Sequence, residues 1–170
     1  MGSFRDNTWD CRYDLIHYNK DGEKLWEMLD KHNVLTDEGE RAIGEVFFRG
    51  STDIFTATDF YVGLYNGVIG EASTLTNVPN EPVVAGYARL LLERSSVGFP
   101  QVEQHDGDWR WVSKELTIQA TGGEIGPISG AFLATSSDNT GLLLGAVAIG
   151  VSRTIQQGDY LIIRIRPKLK

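Results

Sequence analysis

The chain has 170 residues, of which 41% are hydrophobic and 10% aromatic, with 19 glycines and a single cysteine. That composition excludes a disordered polypeptide and suffices for one domain with its own core. The net charge of −7 is unevenly spread, with −4 over residues 1–50, −7 over 51–152 and +4 over 153–170, and an acidic body of this kind repels nucleic acid.

With one cysteine, Cys11, no intrachain disulfide can form, and a reducing compartment is the simpler expectation. The polar start Met1–Asn7 lacks the apolar core of a signal peptide. The longest apolar run, Leu142–Val151, is interrupted by glycine and too short to span a bilayer, so no membrane partner is expected.

Residues 1–20 hold Phe4, Trp9, Tyr13, Ile16 and Tyr18 without a clean helical or alternating period. The expectation is an extension that packs on the body or on a neighbouring chain, with these five residues as anchors. Asp21-Gly22 signals a turn. Leu25, Met28, Leu29 and His32 recur at spacings of three and four, which predicts a short helix over 23–32. Thr36 then opens a second helix. It can cap the first turn, Asp37 and Glu38 sit at the positive end of the dipole, and Ala42, Ile43, Val46 and Phe47 form the apolar stripe before Gly50.

From residue 51 the period changes to that of strands. Segments 60–65, 86–93, 109–111, 115–120, 130–134, 142–149 and 160–166 read as strands, with turns at Asn66-Gly67, Asp106-Gly107 and Gly158-Asp159. Residues 71–82 and 135–141 read as loops. No helical pattern separates the later strands, which disfavours a parallel α/β sheet. The expected architecture is mainly β: an antiparallel β-sandwich, jelly-roll-like, over residues 34–170, preceded by an N-terminal extension over 1–33, with two short helices in all. The basic end, with Arg164 and Arg166 on one face of the last strand, reads as charges guarding a sheet edge or as a dock for an acidic protein surface.

Catalytic and metal signatures are weak. His17, His32 and His105 stand far apart and fit no zinc spacing. Glu103, His105, Asp106 and Asp108 are dense enough to suggest calcium, but turn chemistry accounts for Asp106 and Asp108. Ser136–Gly141 reads as an ordinary hairpin loop. There is no nucleophile elbow, phosphate loop or dinucleotide fingerprint. No catalytic residue, metal or cofactor is therefore expected. Trp109 and Trp111 point the same way on a strand. With Tyr61, Tyr65 and Tyr87 they could form a sugar platform, although core or interface packing is the simpler reading.

Several segments in order then carry a likeness. They are Leu35-Thr36-Asp37-Glu38-Gly39, Tyr61-Val62-Gly63-Leu64-Tyr65, Gly86-Tyr87-Ala88-Arg89 and Gly158-Asp159-Tyr160-Leu161. This order, across 34–170, resembles small virion proteins of tailed bacteriophages. The resemblance implies a non-enzymatic β-sandwich that decorates or cements a capsid, or joins a tail, fibre or baseplate. Its implied partners are the major capsid protein or other virion proteins, its implied state is a homo-oligomer, and its implied location is the virion. A carbohydrate-binding module is the alternative from another class.

Overall fold

In the computed structural model, residues 10–50 and 59–168 are described. The chain is mainly β, and every strand pair is antiparallel. In order the elements are β1 (Asp10–Tyr18), β2 (Lys24–His32), β3 (Val34–Leu35), α1 (Asp37–Arg49) and β4 (Asp59–Tyr65). A 3-10 turn at Leu75–Asn77 leads to β5 (Leu90–Glu93), β6 (Gln101–His105), β7 (Asp108–Val112) and β8 (Leu116–Gln119). The chain ends through β9 (Ile125–Ala134), β10 (Leu143–Ile155) and β11 (Tyr160–Lys168). One sheet runs β2-β1-β11-β7-β6, with β8 also paired to β11; the other runs β3-β10-β9-β4-β5.

The two sheets share one core. Tyr13, Leu15, Ile163 and Ile165 from the first meet Val62, Leu64, Ala131 and Val147 from the second in a single buried cluster. Alternation drives this. On β11, Leu161, Ile163 and Ile165 are buried, and the intervening Ile162, Arg164 and Arg166 are only half-buried.

The helix expected over 23–32 is instead strand β2, so α1 is the only α-helix among the described residues. The same letters carry two periods. Leu25, Met28 and Leu29 fit a helix face, but Trp26 and Met28 fit alternation, and these two pack on the core while Leu25 and Leu29 stay exposed. The turn decides between them. Asn19 Oδ1 accepts from the amides of Asp21 and Glu23, and Gly22 takes φ 84°, which closes β1 and β2 into a hairpin. Residues 10–32 thus lie inside a sheet, and β1 pairs with β11 at all nine of its positions.

The strand carrying the basic end is also not a sheet edge. β11 has β1 on one side and β8 and β7 on the other. Arg166 bonds Asp14 and lies 3.1 Å from Asp30, and Arg164 pairs with Glu115. Both are held by carboxylates of this chain.

Helix α1 follows its sequence signals. Thr36 Oγ1 accepts from the Gly39 amide at 3.1 Å and donates to the Leu143 carbonyl, and Gly50 closes the helix at φ 63°. Glu38 Oε2 accepts from the amides of Leu143 (2.7 Å) and Leu75 (3.1 Å), tying the helix to both neighbouring segments. Gly39 is where the helix touches β10, and a Cβ there would fall on the Leu144 carbonyl. Alanine has a helix propensity about 1 kcal/mol better than glycine, but forcing a methyl into packed backbone costs about 1–3 kcal/mol. Gly39→Ala is therefore expected to be destabilising on balance, read as a lower urea midpoint. An unchanged or higher midpoint would show that α1 does not lie this close to β10.

Candidate functional site: an apolar cleft beside the shared core

An open cleft of about 540 Å³ lies where β4, the β5–β6 loop, the β6–β7 hairpin and the end of β11 meet. Phe60, Phe99, Val102, Trp111 and Pro167 give it an apolar lining, with Arg94, Ser95 and Ser96 adding polar groups. A smaller cavity of about 80 Å³ adjoins it. The two share Phe60, Phe99 and Pro167, and the inner one reaches Cys11, Tyr13, Leu133 and Ile165. Cleft volumes of a few hundred Å³ with few polar groups are typical of ligand pockets.

Local sequence explains why the cleft exists. β7 meets β11 at one register pair only, Arg110 with Lys168. Beyond it, Ser113 replaces the ladder: its Oγ accepts from the Ile165 amide and its amide donates to the Ile165 carbonyl, both at 2.9 Å. The ladder between β7 and β11 is thus short, and Trp111 faces Val102 across the β6–β7 hairpin. The hairpin tip is Asp106-Gly107, both at positive φ, as a two-residue turn requires. In the β5–β6 loop, the Phe99 amide donates to the Ser95 carbonyl at 2.9 Å, and the Lys114 amide donates to Gly98 at 2.8 Å. Phe60 meets Phe99 edge to face, with centroids 6.4 Å apart.

Helix α1 presents a second apolar feature. Ile43 lines the inner cavity, and Phe47 leaves the same helix face one turn later. Phe47 and Phe48 are 73% and 83% exposed and pack on each other at 5.1 Å. Single exposed apolar residues are ordinary on a surface; adjacent exposed aromatics packed on each other are a mark of association.

Several buried polar groups are engaged elsewhere. Arg89 makes five hydrogen bonds: two to Glu81 (2.9 and 2.7 Å), one to Asn139 Oδ1 (2.5 Å), one to the Ser136 carbonyl (3.0 Å) and one to the Asp138 carbonyl. Its guanidinium also lies over the Phe132 ring. Tyr87 donates to Glu81 and accepts from the Leu64 amide, and Tyr65 donates to the Val147 carbonyl. Burial pushes the Tyr65 phenol up to about 12. Asp138, held by the hydroxyls of Thr140 and Ser136, has its carboxyl lowered to about 2. These contacts close the loop at 135–141 from within and leave neither tyrosine free for a sugar. No group of three or more histidine, cysteine or acidic residues able to hold a metal occurs among the described residues.

His17 Nε2 lies 3.2 Å from Asp159 Oδ2, and Asp159 also accepts from the Lys20 amide. Trp26 packs edge-on against His17, with Arg153 over its far ring face. Burial lowers the His17 pKa below the usual 6.5, and the Asp159 carboxylate opposes that shift only in part. Below pH 6.5 the unfolded chain then binds more protons than the folded one. The contribution is full above about 6.5 and is lost as pH falls through the lowered folded value. The urea midpoint should be flat from pH 8 to 7 and fall below 6.5, and His17→Gln should remove most of that fall. A wild-type midpoint unchanged between pH 7 and 5.5 would contradict this placement of His17.

The residues expected as anchors are dispersed. Phe4 and Trp9 lie outside the described residues. Tyr13 is wholly buried in the core and cannot grip a neighbour from there. Ile16 is half-buried on the outer face of β1, and Tyr18 stacks on Tyr160 at 5.2 Å. Cys11 is buried, and burial raises its thiol far above the range of a nucleophile. Trp109 is 54% exposed, whereas Trp111 lines the cleft. Sequence reasoning missed Phe99, Val102 and Pro167 as cleft residues. Only the Gly98-Phe99-Pro100 breaker hinted at a turn there.

A comparison with protein-family models and with curated proteins found no match for this chain.

Proposed function

We propose that this chain is a non-catalytic structural protein that grips neighbouring proteins in an assembly, and that the assembly is a tailed-bacteriophage particle. The observation that carries the gripping is the exposed Phe47–Phe48 pair on α1, two aromatic rings packed on each other. Association surfaces are anchored by aromatic side chains seated against apolar pockets. The phage setting rests on the sequence resemblance alone. Within it, capsid decoration with the major capsid protein as partner is the leading role, tail or baseplate the other, and a homo-oligomer the working state. The two sheets read best as the halves of a sandwich, since one buried cluster draws on both. A jelly-roll-like order is supported by the chain crossing between sheets after β2, β5, β8 and β10.

The test is particle occupancy. Phe47→Ser with Phe48→Ser changes two exposed positions, so the protein should fold with an unchanged midpoint yet be lost from purified particles. Wild-type occupancy by that variant would refute the proposal. A second reading, glycan binding, is favoured by Trp109, which stands exposed on the same strand face as Trp111. Glycan-array binding lost on Trp109→Ala, in a folded protein, would select it.

A further inference from the structure

Phe47 and Phe48 end α1 as a strongly exposed pair of rings, so they do not fill the cleft of their own chain. That cleft has the size and the chemistry to receive such a pair from outside. A cavity of about 150 Å³ holds one benzene ring. The cleft, at about 540 Å³, exceeds two such volumes, and Phe60, Phe99 and Trp111 bring three rings to its lining. Rings packed on rings are a favoured contact at interfaces.

Charge agrees with shape. The last carbonyls of an α-helix lack intrahelical donors and give its end about half a negative charge. Phe47 and Phe48 lie in that last turn of α1. Arg49, the basic residue of the same turn, has its guanidinium 2.9 Å from Glu45 Oε1 and is offset there. Among the described residues, the cleft is lined by the cation of Arg94 and by no acidic side chain. A negative helix end bearing two rings thus matches an apolar cleft bearing a cation.

We propose that the neighbour held by Phe47 and Phe48 is a second copy of this chain, whose cleft receives the two rings. This rests on the gripping role of the pair given above and names its partner. Pair and cleft are different parts of one surface, so every copy offers both and the contact runs head to tail.

The test uses two variants of the full chain. Phe47→Ser with Phe48→Ser removes the rings and keeps the cleft. Val102→Glu, at a half-exposed position of β6, sets a carboxylate in the cleft against the helix end and keeps the rings. Both change exposed positions, so each should keep the wild-type circular dichroism and urea midpoint.

Sedimentation velocity is run at about 0.15 M salt, where the repulsion between copies is screened beyond about 8 Å. The wild-type chain should self-associate, and each variant alone should do so at least about tenfold more weakly, as loss of an anchor predicts. An equimolar mixture of the two variants should regain a one-to-one complex, because one intact pair of rings then meets one intact cleft. A wild-type chain that stays monomeric at about 100 μM, well above the dissociation constants of ordinary interfaces, would overturn the proposal. So would self-association undiminished in either variant, or a mixture that stays monomeric. Particle occupancy separates this from the gripping role. A monomeric wild type whose Phe47→Ser, Phe48→Ser variant is still lost from particles overturns the self-contact alone. A variant that no longer self-associates yet occupies particles at wild-type level refutes the gripping role alone.

Discussion

Arg89→Ala is expected to lower the unfolding free energy by about 3–5 kcal/mol, the cost of removing one partner from a buried ion pair. For a chain of this size that is a fall of roughly 10 °C in Tm. The effect is large because all five guanidinium donors are used and the side chain is only 3% exposed. Removal leaves the Glu81 carboxylate, the Ser136 and Asp138 carbonyls and Asn139 without their partner at once. Phe132 would lose the cation over its ring as well. Arg89→Lys should recover less than half of the loss, since a single ammonium cannot serve a planar carboxylate and two carbonyls in different directions. Thermal and urea unfolding check this. A loss below about 1 kcal/mol, the range of an exposed pair, would mean that the loop at 135–141 is closed by something else.

Deleting residues 1–18 should abolish cooperative folding altogether. β1 lies between β2 and β11, so its removal strips a partner from both. Burying one large apolar side chain stabilises by about 1.5–3 kcal/mol, and β1 contributes Tyr13 and Leu15 to the core. Add the lost ladder on two sides, and the total reaches the whole stability of a typical domain, about 5–15 kcal/mol. Circular dichroism should show no sigmoidal thermal transition in the truncated chain. The sequence pattern alone suggested otherwise, an N-terminal extension over 1–33 outside the sandwich. A cooperative transition retained without β1 would place that strand outside the core.

The difference shows what a sequence carries and what it does not. Strands β8 and β11 were legible from alternation, and β4 and the first part of β10 from short apolar runs bounded by turn or loop residues. Helix α1 was legible because its cap, acidic first turn and closing glycine all agreed. β1 was not, because a central strand has two demands. Cys11, Tyr13, Leu15 and His17 face the core, while Asp14 on the other face is buried under Arg166. Alternation of apolar and polar letters therefore blurs. β2 was misread because its outward Leu25 and Leu29 completed a helical spacing. The cleft was legible only in part. Trp111 was marked as unusual, but Phe60, Phe99 and Pro167 converge from three separate elements, and no local pattern reports such a meeting.

The proposed function turns on whether the exposed aromatics of α1 hold a neighbour. Amide hydrogen exchange, compared between the free chain and the chain on the particle proposed for it, tests this directly. The account predicts at least tenfold slower exchange at residues 46–49 and 95–102 on assembly, with the centre of the two sheets unchanged. Equal exchange at both segments in a chain that is demonstrably bound would contradict it.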